Sequence, residues 1–492
     1  MKRMRFVPIV LFAVLALAGP ARPEGPADNP RVSEALELVR VWLDAQRAYE
    51  RIPGISASVV YDQELLWSGG FGAADLARTA PATPKTIYSI CSISKLFTSI
   101  AVMQLRDAGK LRLDDPVAKH LPWFTIEKSA PEGPEITIEG LLTHASGLPR
   151  ESDYPYWTGP DFPFPTHDDI VARISKQKTL YPAETYFQYS NLGLALAGEV
   201  VASASGMPYA EYVRRNILDP LGMASTTPEV PASERGGRLA TGYSAPTRAG
   251  GREVMPFFQT RGMAPAAGFA STAEDLARFA EWQFRLIRTG KTEVLKANTL
   301  REMYRIHWVD PDFETTWGLG FEVNRSGGKT FVGHGGSCPG YRTAVLFKPD
   351  EAIAAVFLSN ALGVDSELFA QRIYDIVAPA VLAAVKDPKG AKAVDPDLKK
   401  YTGSYASTFG GEIAIVVWED GLSSVWLPTM DPVRGLTKLR KTGVDTFRRV
   451  RQDGELGEEV VFEMGADGVP TRLKWHSNYY PRTGGNPRSG KG

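Results

Sequence analysis

The stretch Ile90-Cys91-Ser92-Ile93-Ser94-Lys95-Leu96-Phe97-Thr98 decides how the rest of the chain is interpreted. It contains a Ser-x-x-Lys pattern, and the apolar spacing after it predicts a helix that runs from Ser92 to Gly109. On a helix, positions i and i+3 share a face, so the amine of Lys95 can reach the hydroxyl of Ser92. A serine hydroxyl is a weak nucleophile that needs such a neighbour, and a helix N-terminus favours the oxyanion that follows attack. The pattern therefore indicates a nucleophilic serine.

A Ser-x-x-Lys pattern alone is weak, because Ser326-Gly327-Gly328-Lys329 also matches it in a predicted turn between two strands. Two further stretches give it context. Tyr189-Ser190-Asn191 precedes an apolar helix; taken by itself, it predicts a core tyrosine and an asparagine helix cap. His334-Gly335-Gly336-Ser337 lies in a strand-like run; taken by itself, it is a strand with a glycine bulge, although paired glycines also let a substrate backbone approach.

In the order Ser-x-x-Lys, Tyr-x-Asn and His-Gly-Gly, these stretches resemble the motifs of the penicillin-recognising serine hydrolases: class C β-lactamases, DD-peptidases, D-aminopeptidases and related esterases. Leu141-Leu142-Thr143-His144-Ala145-Ser146-Gly147-Leu148-Pro149 and Gly109-Lys110-Leu111-Arg112-Leu113-Asp114-Asp115-Pro116-Val117 add to the resemblance. It covers roughly residues 35–385. It implies an α/β (α+β) fold with an antiparallel sheet, flanking helices and a helical insertion. It also implies an acyl-enzyme mechanism without a metal or an organic cofactor.

The resemblance assigns roles by position. Ser92 is the acylated nucleophile, Lys95 assists proton removal, and Tyr189 is the general base, with its phenolate favoured by Lys95. The remaining roles fall to residues of the second and third motifs: Asn191, His334, Gly335 and Gly336 bind the substrate, and the backbone N–H groups of Ser92 and Ser337 form the oxyanion hole.

His334 departs from the many relatives that carry Lys-Thr-Gly or Lys-Ser-Gly at this position. A lysine there is a fixed cation for a carboxylate, whereas a histidine with its ordinary pKa of about 6.5 is only partly charged at neutral pH. We therefore expect a small amide, D-amino-acid peptide or ester as substrate. An activity that uses His334 as a cation should fade as pH rises through about 6–7. One alternative is a β-lactamase or DD-carboxypeptidase; the other is a penicillin-binding sensor or binding module without turnover.

The chain has only two cysteines, and both flank the stretches described above. Some class A carbapenemases carry a disulfide at the two corresponding positions, so the resemblance implies a Cys91–Cys338 bond. Two cysteines in a secreted chain also tend to pair, although two buried free thiols are the alternative.

Length and composition exclude several classes of protein. A chain of 492 residues predicts two or three domains, and 43% hydrophobic with 23% charged residues is typical of a soluble globular protein. The 56 basic residues balance the 56 acidic ones, which argues against a nucleic-acid partner. The six histidines are scattered singly, so we expect no metal site. The expected partner is a small-molecule or peptide substrate.

The N-terminus predicts export. Lys2, Arg3 and Arg5 precede an apolar run that ends in Ala16-Leu17-Ala18, which is typical of a signal peptide. The run is too short for a membrane anchor, and no later segment looks apolar enough to span a bilayer. We expect a periplasmic or secreted protein, where a disulfide persists.

We predict six segments along the chain. They are a signal peptide (1–18), a tether (19–30), a β-lactamase-like hydrolase domain (31–385), a polar linker (386–397), a small all-β lipocalin-like domain (398–485) and a flexible tail (486–492). The last domain either gates the cleft or binds elsewhere. Aromatic residues interleaved with prolines either line the cleft or form a packed surface loop: Tyr154, Tyr156, Trp157 and Phe162.

Overall fold

The computed structural model describes residues 25–390 and 395–484. The predicted signal peptide, tether residues 19–24, linker residues 391–394 and the tail 486–492 lie outside the described residues. In the remainder of the tether, a 3-10 turn spans Pro26–Asp28 and the first helix begins at Pro30. The helix begins there because Asn29 accepts a hydrogen bond from the Arg31 N–H (3.0 Å) and proline suits the first helical turn.

A mixed α/β layer structure precedes the C-terminal barrel, and its strands all pair antiparallel. These strands are β1 (Gly54–Tyr61), β2 (Glu64–Asp75), β3 (Ala80–Pro81), β4 (Tyr88–Ser89), β5 (Ala270–Ser271), β6 (Trp308–Val309), β7 (Thr316–Trp317), β8 (Glu322–Ser326), β9 (Lys329–Cys338), β10 (Tyr341–Lys348) and β11 (Ile353–Ser359).

Nine of these strands form one sheet in the order β3-β2-β1-β11-β10-β9-β8-β7-β6, while β4 and β5 form a separate pair. The sheet joins the two ends of the domain, because β1 pairs with β11 and places Ala57 opposite Phe357. This confirms the predicted antiparallel sheet that is interrupted in sequence by a helical insertion.

The helices cover both faces of this sheet and fill the insertion. They are α1 (Pro30–Tyr49), α2 (Ser94–Asp107), α3 (Val117–His120), α4 (Ile138–Leu142), α5 (His167–Ile174), α6 (Asn191–Ser205), α7 (Tyr209–Val213), α8 (Ala264–Ala267), α9 (Ala273–Thr289), α10 (Ala297–Met303) and α11 (Ser366–Lys386).

The two faces of the sheet carry separate cores, because successive side chains of a strand point to opposite faces. In β11, Leu358 joins the cluster that contains α2 and α9, whereas Phe357 joins the cluster that contains α1 and α11. In the first cluster, the ring of Phe97 lies 4.9 Å from Phe269 and 4.7 Å from Phe279. This packing holds α2, and with it the Ser-x-x-Lys stretch, against α9 and the segment that precedes β5.

Helix α11 corrects one expectation from the sequence. Its length and mean hydropathy of 1.5 are sufficient for a membrane span, and half of the apolar window is buried in the fold. Phe369 of this helix packs at 4.5 Å from Phe357 and at 5.2 Å from Trp42, ring to ring. The apolar composition therefore reflects a core helix that packs between the sheet and α1.

The C-terminal region forms a closed antiparallel β-barrel, which confirms the predicted all-β domain. Its strands are β12 (Gly403–Ser407), β13 (Gly411–Trp418), β14 (Gly421–Leu427), β15 (Thr437–Gly443), β16 (Thr446–Val450), β17 (Leu456–Met464), β18 (Pro470–Trp475) and β19 (Asn478–Gly484). Pairing of β12 with β19 closes it.

The outer face of the barrel packs against α1. Val416 and Val425 belong to the same core cluster as Trp42, whose indole N–H donates to the carbonyl of Thr429 (2.8 Å). The side chain of Arg372 in α11 donates to the carbonyl of Met430 (2.9 Å). The barrel is thus attached to the face of the sheet opposite α2.

Candidate active site

Ser92 lies in a tight turn that precedes α2. The predicted helix start at Ser92 is wrong by two residues: Cys91–Ile93 forms a 3-10 turn and α2 begins at Ser94. Cys91 has φ 52°, which a non-glycine residue rarely adopts. The turn is held by Ser94, whose hydroxyl donates to the Cys91 carbonyl (2.5 Å) and accepts from the Phe269 N–H (2.9 Å). The result is a half-buried serine on a rigid support.

The amine of Lys95 is buried and lies within hydrogen-bonding distance of three oxygen atoms. It donates to Asn191 Oδ1 (2.8 Å) and to the carbonyl of Ala266 (2.7 Å), and lies 3.1 Å from Ser92 Oγ. Burial lowers the pKa of Lys95 well below its ordinary value, because an ammonium loses its hydration there. A neutral amine has two N–H donors and one lone pair. When its two N–H groups donate to Asn191 and Ala266, the lone pair of the amine is left to accept the proton of the Ser92 hydroxyl.

Tyr189 lies beside this pair. The Lys95 amine is 4.9 Å and the Arg150 guanidinium 4.8 Å from the centre of its ring, and the His144 ring is 4.3 Å away. Burial raises the pKa of the Tyr189 phenol well above its usual value, while a hydrogen bond with Ser92 and the charge of Arg150 act in the opposite direction. At neutral pH the phenol is therefore protonated. The direction of this shift disfavours the phenolate that the resemblance implies as the base, because the cost of burying the anion exceeds the help from Ser92 and Arg150.

Asn191 is the first residue of α6, and the helix cap is its neighbour Ser190, whose hydroxyl accepts from the Gly193 N–H (2.9 Å). The side chain of Asn191 is therefore free for the site. Its Oδ1 faces Lys95, and its Nδ2 donates to both carboxylate oxygens of Glu151 (2.8 and 3.1 Å). Glu151 has no place in the motifs identified from the sequence. Its only signal there is its position two residues after Pro149, at the end of a family-like stretch.

His334 lies on β9, with its ring 6.2 Å from Tyr189 and 5.5 Å from Trp317. Burial is the main cause that lowers the pKa of His334, to about 3, and Lys95 acts in the same direction whenever its amine is protonated. The ring is neutral in the range pH 6–7, so the expectation of a cation that titrates there is wrong. Its Nδ1 lies 2.6 Å from the Gly335 carbonyl, which can only accept, so the proton is on Nδ1.

Packing requires a glycine at position 336. A Cβ on Gly336 would overlap the hydroxyl of Thr343 in β10 and the backbone carbonyl of Ile90, whereas a Cβ on Gly335 would meet only the end of the Glu367 side chain in α11, which can move aside. Ser337 follows them and is exposed. The sequence analysis explained both glycines by the approach of a substrate backbone; the structure adds an internal packing reason for Gly336.

A disulfide joins Cys91 to Cys338, with 5.6 Å between the Cα atoms and 247 positions between the residues. The bond connects the residue before Ser92 to the residue after Ser337. The two backbone N–H groups predicted for the oxyanion hole therefore lie on chain segments that are covalently tied together. Ser89 Oγ lies 3.3 Å from Cys338 Sγ at this junction.

A protein-family model described as Beta-lactamase matches residues 39–378. The chain belongs to the beta-lactamase family. Beta-lactamase-like protein 2 of Dictyostelium discoideum is 28% identical over 75% of this chain and 68% of its own length. An octameric penicillin-binding protein homologue from Pyrococcus abyssi has a TM-score of 0.62 and 25% identity, over 90% of this chain and 99% of that chain. A beta-lactamase/D-alanine carboxypeptidase from Yersinia pestis has a TM-score of 0.59 and 22% identity, over 70% and 98%.

The second Ser-x-x-Lys pattern of this beta-lactamase family member lies away from the candidate active site. Ser326 and Lys329 lie at the β8–β9 turn, where the lysine amine contacts Glu351 and Tyr374 (both 2.8 Å), so the turn prediction is confirmed. Within residues 25–390 and 395–484, no cluster of three His, Cys, Asp or Glu side chains is suited to a metal ion.

The aromatic residues near 156 form a packed loop. Tyr156 is fully buried, and its ring lies 4.9 Å from Phe164 and 5.4 Å from Trp157. Its hydroxyl donates to the carboxylate of Glu151. The packed-loop alternative therefore describes Tyr156 better than the cleft-lining one, and the loop reaches the site through Glu151.

Proposed function

We propose that the protein is an exported serine hydrolase that acts through an acyl-enzyme on a small amide, D-amino-acid peptide or ester. One observation carries the proposal: the buried amine of Lys95 lies 3.1 Å from the Ser92 hydroxyl, while its other two partners are fixed. The family is one of serine hydrolases, and the residues of its three motifs meet in one place here.

The geometry supports Lys95 as the base in acylation. The neutral amine takes the proton of Ser92 as Oγ attacks the substrate carbonyl carbon. The C–N or C–O bond of the tetrahedral intermediate then breaks, and the leaving group takes a proton from the protonated Tyr189, which recovers one from Lys95. Water attacks the acyl-enzyme in the second half and releases the acid, with Ser92 regaining its proton.

The oxyanion of both intermediates would be bound by the backbone N–H groups of Ser92 and Ser337. One such donor contributes about 10²–10³ in rate in comparable hydrolases. The Cys91–Cys338 bond supports this role because it ties together the two segments that carry the donors.

The neutral ring of His334 supports substrates that lack a carboxylate at this position. It offers no cation, and its pKa of about 3 keeps it uncharged at physiological pH. One observation favours the alternative of a β-lactamase or DD-carboxypeptidase: the guanidinium of Arg150, 60% exposed, lies over Tyr189 and is able to attract a substrate carboxylate.

Export rests on the signal-like sequence of residues 1–18 and gains support from the disulfide, because such bonds persist in oxidising compartments. We propose a periplasmic or secreted location.

Activity-based labelling tests the proposal. A fluorophosphonate should modify Ser92 of the wild-type protein, as peptide mapping would show, and should leave Ser92→Ala unlabelled. A short-chain ester, a D-alanyl peptide and a chromogenic cephalosporin then separate the candidate substrates. Labelling at another serine, or equal labelling of the Ser92→Ala variant, would refute the assignment.

A further inference from the structure

Glu151 holds the side chain of Asn191 from the side opposite Lys95. The Asn191 amide donates to both Glu151 oxygens (2.8 and 3.1 Å), and its carbonyl oxygen accepts from Lys95 (2.8 Å). A carboxylate only accepts and an ammonium or amine donates, so these two neighbours together determine which way the amide faces. With the amide reversed, an N–H would face the Lys95 donors and a carbonyl would face a carboxylate.

Glu151 is itself fixed by the packed aromatic loop. The hydroxyl of Tyr156 donates to one of its oxygens, and Tyr156 is fully buried. The Arg150 side chain lies 3.3 Å from the other oxygen. The carboxylate therefore has a defined position, although it comes from a loop and not from a helix or strand of the site.

The charges around Lys95 come from these two adjacent residues. Glu151 acts to raise the pKa of the Lys95 amine and Arg150 acts to lower it, while burial is the larger cause of the low value. The other titratable groups that face Lys95 are Tyr189, His144 and His334. Burial keeps all three uncharged at neutral pH. Glu151 and Arg150 are thus the charged groups whose opposite effects act on the pKa of Lys95.

We propose that Glu151 is a positioning residue that orients the Asn191 amide toward Lys95 and, with Arg150, sets the electrostatic balance at the amine. The inference rests on the proposed function, in which the neutral Lys95 is the base. It gives a role to the acidic residue that follows the Gly-Leu-Pro-Arg run, and it links the aromatic loop to the proton-transfer step.

Two neighbouring substitutions test the charge effect, because they should act in opposite directions. Glu151→Gln keeps an acceptor for Asn191 but removes the negative charge. The Lys95 ammonium then loses a favourable neighbour, so its pKa falls and the acid limb of kcat/KM moves to lower pH. Arg150→Gln removes a positive charge and moves the limb to higher pH. Each shift should be of the order of one pH unit at low ionic strength.

A third variant tests the orientation. Glu151→Ala removes both the charge and the acceptor, so the Asn191 amide is released and kcat/KM should fall about tenfold or more below that of Glu151→Gln. Partial rescue by glutamine distinguishes positioning from a general loss of stability, which circular dichroism and thermal unfolding would report.

A measurement without turnover separates this inference from the proposed function. The ¹³Cε resonance of Lys95, assigned by its loss in Lys95→Arg, gives the lysine pKa directly in each full-length variant. The expected order is Glu151→Gln below wild type below Arg150→Gln. Equal values, or shifts of the same sign, overturn the inference even where fluorophosphonate labels Ser92. Absence of labelling with the expected pKa order overturns the proposed function alone.

Discussion

The amine of Lys95 is 3.1 Å from the hydroxyl of Ser92, and its other two contacts are to oxygen atoms inside the protein. The amine has no exposed surface. At this distance a proton can pass directly from the half-buried hydroxyl to the buried amine.

Replacement of Lys95 by methionine should abolish the activation of Ser92. Methionine fills a similar volume but offers neither a base nor a donor, so we expect fluorophosphonate labelling and ester hydrolysis to fall about 10²–10⁴-fold. Labelling kinetics at Ser92 would measure the change. Lys329→Met, which alters the similar pattern at the β8–β9 turn, is the control and should label like the wild type. Equal loss in both variants would contradict the prediction.

The same replacement should change how stability depends on pH. The pKa of Lys95 is lower in the folded protein than in the unfolded chain, where it is about 10.4, so the unfolded chain binds more protons between the two values. Stability contributed by this group therefore rises with pH, by about 1.4 kcal/mol per unit within that window. Urea unfolding at several pH values up to 10 should show a steeper rise for the wild type than for Lys95→Met. Parallel curves would refute a depressed pKa.

His334 should leave no titration between pH 5 and 8 in kcat/KM, because its pKa of about 3 keeps the ring neutral there. We expect the pH profile of His334→Gln to have the same shape as that of the wild type, whatever its absolute level. A wild-type step near pH 6–7 that the variant lacks would restore the cationic role that the sequence indicated.

Loss of the Cys91–Cys338 bond should weaken both the fold and acylation. The bond closes a loop of 247 positions, and removal of the chain-entropy effect predicts a loss of up to about 5 kcal/mol in unfolding free energy. We also expect slower labelling of Ser92, because the oxyanion donors are no longer tied together. The double variant Cys91→Ala/Cys338→Ala, compared with the wild type with and without reductant, measures both effects. Two alkylatable thiols in the non-reduced wild type would show that the bond is absent.

Trp42→Ala should destabilise the protein without disturbing the site. The side chain is 1% exposed between α11 and the barrel, and its truncation should cost about 3–5 kcal/mol. Because α1 lies on the face of the sheet opposite α2, kcat/KM of the folded variant should stay near that of the wild type. Trp426→Ala, at a position that is 40% exposed, is a milder control. Loss of activity at temperatures where the variant is fully folded would indicate coupling between the barrel and the cleft.

The sequence predicted the sheet and the insertion from its strand-like and helical runs. The resemblance to the penicillin-recognising serine hydrolases implied the meeting of Ser92, Lys95, Tyr189 and Asn191, because the three motifs follow one another in the order found in that family. It did not predict the protonation states. The pKa values of Tyr189 and His334 depend on how completely neighbouring segments bury them, and burial is a property of the assembled fold.

The sequence also did not predict the backbone turn at Ser92 or the contact between Glu151 and Asn191. Periodicity placed the helix start at Ser92, but a cluster of contacts from Ser94, Phe269 and Thr343 holds the chain in a 3-10 turn instead. Glu151 was missed because its contact with Asn191 spans 40 positions and leaves no periodic signal.

The pairing of β1 with β11 has a consequence for the order in which the chain is made. The β1–β2 hairpin is complete once residue 75 has left the ribosome, yet its partner on the other side begins only at residue 353. Throughout that interval β1 presents an open, apolar strand edge, which is a template for intermolecular pairing. The nascent polypeptide therefore carries this unpaired edge until its eleventh strand has been made.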